Sequence, residues 1–297
     1  MILSRRRLLM QSAASSALLT LSALANLAHA KGPAKTRRMP VIFVGHGSPM
    51  NAIQDNTFTR HLAAWGEKLP KPSAILSVSA HWLTPGSTAV DVQMQPRTIY
   101  DFGGFPQALY DIRYPAAGAP AIAEEAAALV KHTSVQHDTS WGLDHGTWTV
   151  LHHLYPKADI PVFQLSIDYA RDAAYHYAIG RELAALRDRG VLIMGSGNIV
   201  HNLRMMDRGA PDALAATRPW AQSFDSLVKK ALAERDDKAL IAYQRLEGAS
   251  IAVATPDHYY PFLYALGAAG ADEKAVSVFE GFQGGTLSMR CLQFGAA

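Results

Sequence analysis

"VIFVGHGSPMNAI", residues 41–53, sets an apolar run against a histidine held between two glycines and followed by a proline. The run has the length and β-branching of a buried strand. Gly45 and Gly47 allow a sharp exit and Pro49 ends the strand, which leaves His46 just past its end. "AILSVSA" (74–80) followed by His81, and "VLIMGSGNIV" (191–200) followed by His201, repeat the arrangement. Continuous apolar runs alternating with amphipathic stretches predict an α/β domain whose sheet is covered on both faces. Parallel strands of this kind would aim the three histidines into the crevice beyond their carboxyl ends, where open α/β sheets bind ligands.

Further strands are predicted at "PVFQLSI" (161–167) and "SIAVAT" (250–255), and helices at 121–132, 146–155, 172–190 and 219–235, the third closed by Gly190. "AVSVFEGF" (275–282) and "TLSMRCLQF" (286–294) fit a closing hairpin across Gln283 to Gly285. "IYDFGGFPQALYDIRYPAAGAP" (99–120) is a long segment rich in Gly, Pro and aromatics, either a lid over an aromatic ligand or aromatic packing against the core. No repeat, low-complexity linker or compositional break divides residues 39–297, which are expected to form one domain.

The first thirty residues read as an export signal. Arg5, Arg6 and Arg7 precede Leu8, Leu9 and a moderately apolar run from Ala13 to Leu27, and Ala28-His29-Ala30 offers small residues where a signal peptidase cuts. The paired arginines point to the twin-arginine export machinery, with an ordinary secretory signal as the alternative. The apolar run is short for a spanning helix and is broken by Ser and Thr, so no stable membrane anchoring is expected after cleavage at Ala30. A periplasmic protein with a basic, flexible lead-in at 31–38 is the expectation.

The chain carries 28 basic and 25 acidic residues. The three leader arginines account for the whole excess, so the mature part is formally neutral and nothing asks for nucleic acid. Cys291 is the single cysteine, which excludes an intramolecular disulfide. There is no GxSxG nucleophile elbow, Walker A sequence or GxGxxG fingerprint, which argues against a serine hydrolase and against nucleotide cofactors.

Histidine is the abundant chemistry: there are twelve. Five stand at element ends: His46, His81 and His201, with His145 of "WGLDHGTW" at a helix start and His258 of "ATPDHYYP" after a strand. A lone histidine is more often surface or hydrogen-bonded core than ligand. Five together, with no thiolate set to compete, make a metal site the best remaining centre. His152, His153 and His176 lie inside predicted helices, and His61, His132 and His137 have no special context; these are read as structural or solvated.

At these residues the sequence resembles the class III extradiol ring-cleaving dioxygenases, most closely the 4,5-DOPA extradiol type. The segments are "GHGSPMNAI", "ILSVSAHW", "YDFGGFPQALYDIRYPA", "WGLDHGTWTVLHHLYP", "GSGNIVHNLR" and "TPDHYYPFLYALGA", in the family's order over nearly the whole mature chain. The resemblance implies a single α/β domain with a central mixed, largely parallel sheet flanked by helices. It implies that His46, His81 and His258 bind the metal, that His201 is the acid/base or a fourth ligand to zinc, and that His145 contacts substrate or oxygen. Ser48, Trp82, Tyr100 and Phe102, with Phe105, are the candidates for the small aromatic substrate, which would meet O2 at non-heme Fe(II).

In the protocatechuate-cleaving branch the third ligand is a glutamate, whereas here the matching segment offers His258, with Asp257 and Glu247 as the nearby carboxylates. An all-histidine site tolerates Zn(II) as readily as Fe(II), and zinc has no redox change with which to activate oxygen. A zinc-dependent hydrolase, discriminated by turnover without oxygen, and an exported metal-binding protein, discriminated by a metal spectrum blind to catechol, are the competing readings.

Overall fold

The structure, a computed structural model, describes residues 38–212, 214 and 217–296. The predicted export signal at 1–30 and all of the lead-in except Arg38 lie outside the described residues. The central sheet is built from β1 (Val41–Gly45), β2 (Ala74–Ser79), β3 (Val162–Gln164), β4 (Val191–Gly197), β5 (Ala275–Phe279) and β6 (Cys291–Phe294). Their order is β3-β2-β4-β1-β6-β5. The first four are mutually parallel; β6 runs antiparallel to both β1 and β5, which makes the sheet mixed and largely parallel as expected.

The four parallel strands are buried along their whole length because both faces of the sheet are covered there. In β1, Val41 and Phe43 enter the core on one face while Ile42 and Val44 enter the core on the other. α1 (Thr57–Lys68) and α3 (His145–Leu154) cover the Ile42 side with Phe58, Leu62, Trp65, Trp148 and Leu151. α2 (Pro120–Leu129), α4 (Ala173–Leu183), α5 (Pro219–Glu234) and α6 (Tyr260–Ala268) contribute to the Val41 side, through residues such as Ala123, Ile179, Phe224 and Phe262. Fully burying a Leu, Ile or Phe side chain in this way stabilises the fold by about 1.5–3 kcal/mol. Side-chain caps set three helix starts: Asn56 for α1, Asp144 for α3 and Asp172 for α4.

Several elements differ from the sequence reading. The 161–167 strand is two pieces: β3 belongs to the main sheet, whereas Ile167–Asp168 pairs with Leu83–Thr84. The predicted strand at 250–255 is instead a short helix, Ala249–Ala252, because Gly248 turns the chain at φ +79° and its carbonyl accepts from Ile251 and Ala252. The closing hairpin forms, with an inner pair Phe282–Gln283 and Leu287–Ser288, and a register shift at Cys291/Leu292 within the pairing of β6 with β5. The 172–190 helix is α-helical to Leu183 and then a 3-10 helix, Ala184–Arg189, capped by Gly190 at φ +79°. α6 went unread because all of its residues are buried, so it shows no polar face and no periodicity. α1 carried a readable stripe in Phe58, Leu62 and Trp65 that the sequence reading passed over.

Candidate metal centre

Each of the five histidines is delivered by a different piece of backbone to the carboxyl end of the parallel strands. His46 follows β1 in a turn that needs Gly47, whose φ is +63° and whose added Cβ would lie 2.3 Å from Gln283 Oε1. That oxygen accepts from Ser48 N (2.7 Å) and Asn51 Nδ2 (3.2 Å), and Asn51 Nδ2 also donates to His46 O at 3.1 Å. The turn is thereby bolted to the closing hairpin.

His81 stands two residues beyond β2, and His145 opens α3 behind its Asp144 cap. His201 lies beyond β4 and its N–H donates to Ala252 O at 2.8 Å. His258 ends a 3-10 turn, Pro256–His258, laid so close on β4 that a Cβ on Gly197 would sit 2.2 Å from His258 O.

The rings converge. Centroids are 5.1 Å apart for His46 and His81, 5.2 Å for His46 and His258, and 3.8 Å for His81 and His145. His201 stacks on His258 at 3.5 Å with planes 4° apart.

The Nδ1 atoms of four rings face acceptors. Ser196 Oγ gives its one proton to Gly146 O (2.5 Å), so it accepts from His46 Nδ1 at 3.0 Å. Asp101 Oδ2 accepts from His145 Nδ1 (2.8 Å) and lies 3.3 Å from His81 Nδ1, while Asp101 Oδ1 accepts from His145 N at 2.9 Å. His258 Nδ1 donates to Asp257 Oδ2. Such partners fix the tautomer and leave the Nε2 lone pair available, the arrangement of metal-binding histidines. No described residue fixes the ring nitrogens of His201 in this way.

A metal fits this donor set. His46 Nε2 and His81 Nε2 stand 3.3 Å apart, about the spacing of two nitrogens that each bind one ion at about 2.0–2.1 Å. Ligand atoms of His46, His81 and His145 lie within 4.8 Å of one another, as do those of His201, Asp257 and His258. Burial first, and then the neighbouring imidazoles, push His46 and His81 well below the usual histidine range, which keeps them neutral as ligands must be. His201 is lowered by burial and by His258, against the opposing charge of Asp257. Burial raises Asp257, but hydrogen bonding and charge from His258 outweigh it and hold the carboxyl below its ordinary value.

All five histidines line one cavity of about 340 Å³, together with Ser48, Phe102 and Phe105. Two predicted substrate residues are not brought there. Trp82 is buried in a parallel stack with Trp141 at 5.6 Å, and Tyr100 stands behind Phe102 with its hydroxyl donating to Ile112 O at 2.5 Å. Glu247 is exposed and outside the lining, whereas Asp257 is spent on His258.

The sequence reading missed Asp101 and Ser196, which hold the rings, and Leu203, Met206, Pro211 and Asp212, which complete the wall. Asp101 was legible as the carboxylate inside "YDFGGF"; the others carried no local signal.

Residues 39–286 match the family described as the catalytic LigB subunit of aromatic ring-opening dioxygenase. A 4,5-DOPA dioxygenase extradiol of Escherichia coli (strain K12) is 47% identical over 262 residues, covering 87% of this chain and 95% of that protein. Its namesake in Beta vulgaris is 40% identical over 261 residues, with 85% and 95% covered. A crystal structure of an uncharacterized protein from Escherichia coli K12 superimposes with a TM-score of 0.75 at 42% identity, over 87% of this chain and 100% of that one.

Proposed function

The chain belongs to the LigB family of aromatic ring-opening dioxygenases, and from that premise we propose that its histidine cavity opens a DOPA-like catechol with O2 at Fe(II). The protein is an extradiol ring-cleaving dioxygenase, a metal-dependent oxidoreductase. The substrate, the metal and the assignment of residues are our reading. The observation that carries it is the division among the five rings: four have Nδ1 facing an acceptor and one, His201, does not.

His46, His81 and His258 hold the metal through Nε2. When bound, Fe(II) supplies the redox change that oxygen activation needs and a positive charge that favours the ionised catechol. His201, kept neutral by burial and by His258, accepts a catechol proton and later returns one. His145, held at both N and Nδ1 by Asp101, presents Nε2 to the substrate or to oxygen. Phe102 and Phe105 pack on the catechol ring, and Ser48 stands beside them in the wall.

Anaerobic loading with Fe(II), followed by L-DOPA or 4-methylcatechol in air, is expected to give oxygen uptake and a yellow ring-opened semialdehyde, with none from the Zn(II)-loaded protein. Absence of uptake across several catechols would sink the reading, and oxygen-independent hydrolysis by the zinc form would favour the hydrolase instead.

The same reading extends to location: the chain is exported by the twin-arginine machinery and trimmed after Ala30 in the periplasm. Its support is the run Arg5-Arg6-Arg7-Leu8-Leu9 and the small residues at 28 and 30. Replacing the three arginines by lysine should leave uncut precursor in the cytoplasm; mature protein still beginning at Lys31 in the periplasm would refute twin-arginine export.

A further inference from the structure

The first turn of α3 touches three of the five histidines, and one buried carboxylate pins that turn to the sheet. His145 is part of the turn. The ring of His81 lies against it: a Cβ added to Gly146 would stand 2.9 Å from His81 Cδ2 and 2.5 Å from Ser79 Oγ, so a side chain there would displace both. Gly146 O takes the proton of Ser196 Oγ at 2.5 Å, and Ser196 Oγ in turn accepts from His46 Nδ1. A shift of this turn is therefore felt by all three rings, whose ligand atoms lie within 4.8 Å of one another.

The carboxylate is that of Asp144, which is fully buried. Oδ1 accepts from Ser79 Oγ at 2.6 Å and from Thr147 N at 3.2 Å, and Ser79 Oγ accepts from His81 N at 3.3 Å. Oδ2 accepts from Gln164 Nε2 at 2.7 Å and from Trp141 Nε1 at 3.4 Å. Gln164 Oε1 accepts from Asp144 N at 3.1 Å, and because a backbone N–H can only donate, this fixes which end of the amide faces the carboxylate. Ser79 ends β2 and Gln164 ends β3, so the helix start is tied to two strands. Capping the helix requires only the bond to Thr147 N. The bonds to Ser79 and Gln164, 65 and 20 positions away in sequence, exceed that task.

We infer that Asp144 is a positioning residue that sets the spacing of His46, His81 and His145 by holding the first turn of α3 against β2 and β3, with Gln164 as its matched partner. The inference rests on the reading that these imidazoles form the metal centre. It goes beyond that reading by placing control of their geometry in a residue outside the cavity wall. All four groups that meet the carboxylate are donors, so an amide at 144 turns an NH2 toward a donor and breaks the set. A carboxylate at 164 repairs it: one oxygen accepts from the new amide and the other still accepts from the backbone N–H of 144.

The test measures Co(II) binding to the metal-free full chain by competition with a chelator, together with the visible spectrum of the Co(II) form; neither requires turnover. Asparagine caps a helix as well as aspartate, so Asp144→Asn isolates the lost pairing from the cap. It is expected to weaken Co(II) binding about 10–100-fold and to change the visible band. Adding Gln164→Glu to Asp144→Asn should recover both. Ser79→Ala, which removes one donor and leaves the carboxylate, should weaken binding by less, about tenfold. Asp172→Ala removes the cap of α4, whose side chain accepts from Tyr175 N at 3.0 Å, and should lower the urea midpoint with Co(II) affinity and spectrum unchanged.

Wild-type affinity and spectrum in Asp144→Asn, a double variant that recovers neither, or an equal loss of affinity in Asp172→Ala would each overturn the inference. Should Asp144→Asn fail to fold, Ser79→Ala decides, and unchanged Co(II) binding and spectrum there overturn it. Failure of every catechol to be cleaved would overturn the ring-cleavage reading instead, and the Co(II) measurements would still decide the role of Asp144.

Discussion

Two buried histidine environments in this molecule share burial and little else. His176, inside α4, is fully buried between Tyr260, whose ring centroid is 4.0 Å away, and Tyr264, whose hydroxyl lies 3.1 Å from Nδ1. Burial lowers it to about 4. His46, at the end of β1, is 3% exposed and is also held far below the usual range. The difference is company. His46 shares its cavity with four other imidazoles whose Nδ1 atoms are mostly tied to carboxylates, so several lone pairs meet at one place. His176 meets tyrosines and is a packing residue. A depressed imidazole therefore marks a ligand only where the neighbours are imidazoles with their far nitrogens tied down.

The sharpest way to break this comparison is to remove the rings one at a time. His46→Ala and His81→Ala are expected to lose bound metal and all turnover. His201→Ala should keep its metal while turnover falls about 10²–10⁴-fold, the usual contribution of a general acid/base. Asp101→Asn should have a smaller effect than either, with metal affinity or activity down about 10–100-fold. Metal analysis alongside oxygen uptake separates these outcomes. Equal metal loss in all three histidine variants would make His201 a ligand first.

The smallest effect is at His176. His176→Phe should retain full metal content and lose about 1–2 kcal/mol of stability by denaturant titration. The pH dependence has a definite sign. His46, His81, His201 and His176 all bind protons less readily in the folded chain, so the unfolded chain takes up more protons below about 6.5. Their contribution is present in full above that pH and is lost as the pH falls. For His176 the loss falls between about 6.5 and 4, and the urea midpoint of the apo His176→Phe variant should slope less steeply there than wild type. An identical slope would refute the burial effect on His176, and lost metal would place it in the functional set.

What the sequence by itself determined is the identity and grouping of the chemistry. Glycine before and after His46, serine-alanine before His81 and a strand before His201 are local signals of strand ends, and five histidines at such places were enough to single out a metal site. The strands of the parallel core were legible for the same reason, since a strand covered on both faces needs continuous apolar residues, whereas their order in the sheet was not.

Only the tertiary structure decided which way each ring points and what stands behind it. Ser196 lies 150 residues from His46, Asp101 lies 44 from His145, and Gln283 lies 232 from Asn51. Such pairs are set by sheet register and helix packing, and no local period records them. Trp82 and Tyr100 show the same limit from the other side: Trp82 follows His81 and Tyr100 lies two residues before Phe102, both of the cavity wall, and in space each is turned into the packing behind it. Adjacent side chains in extended or irregular backbone point in different directions, so proximity in sequence assigned the neighbourhood and the fold assigned the wall.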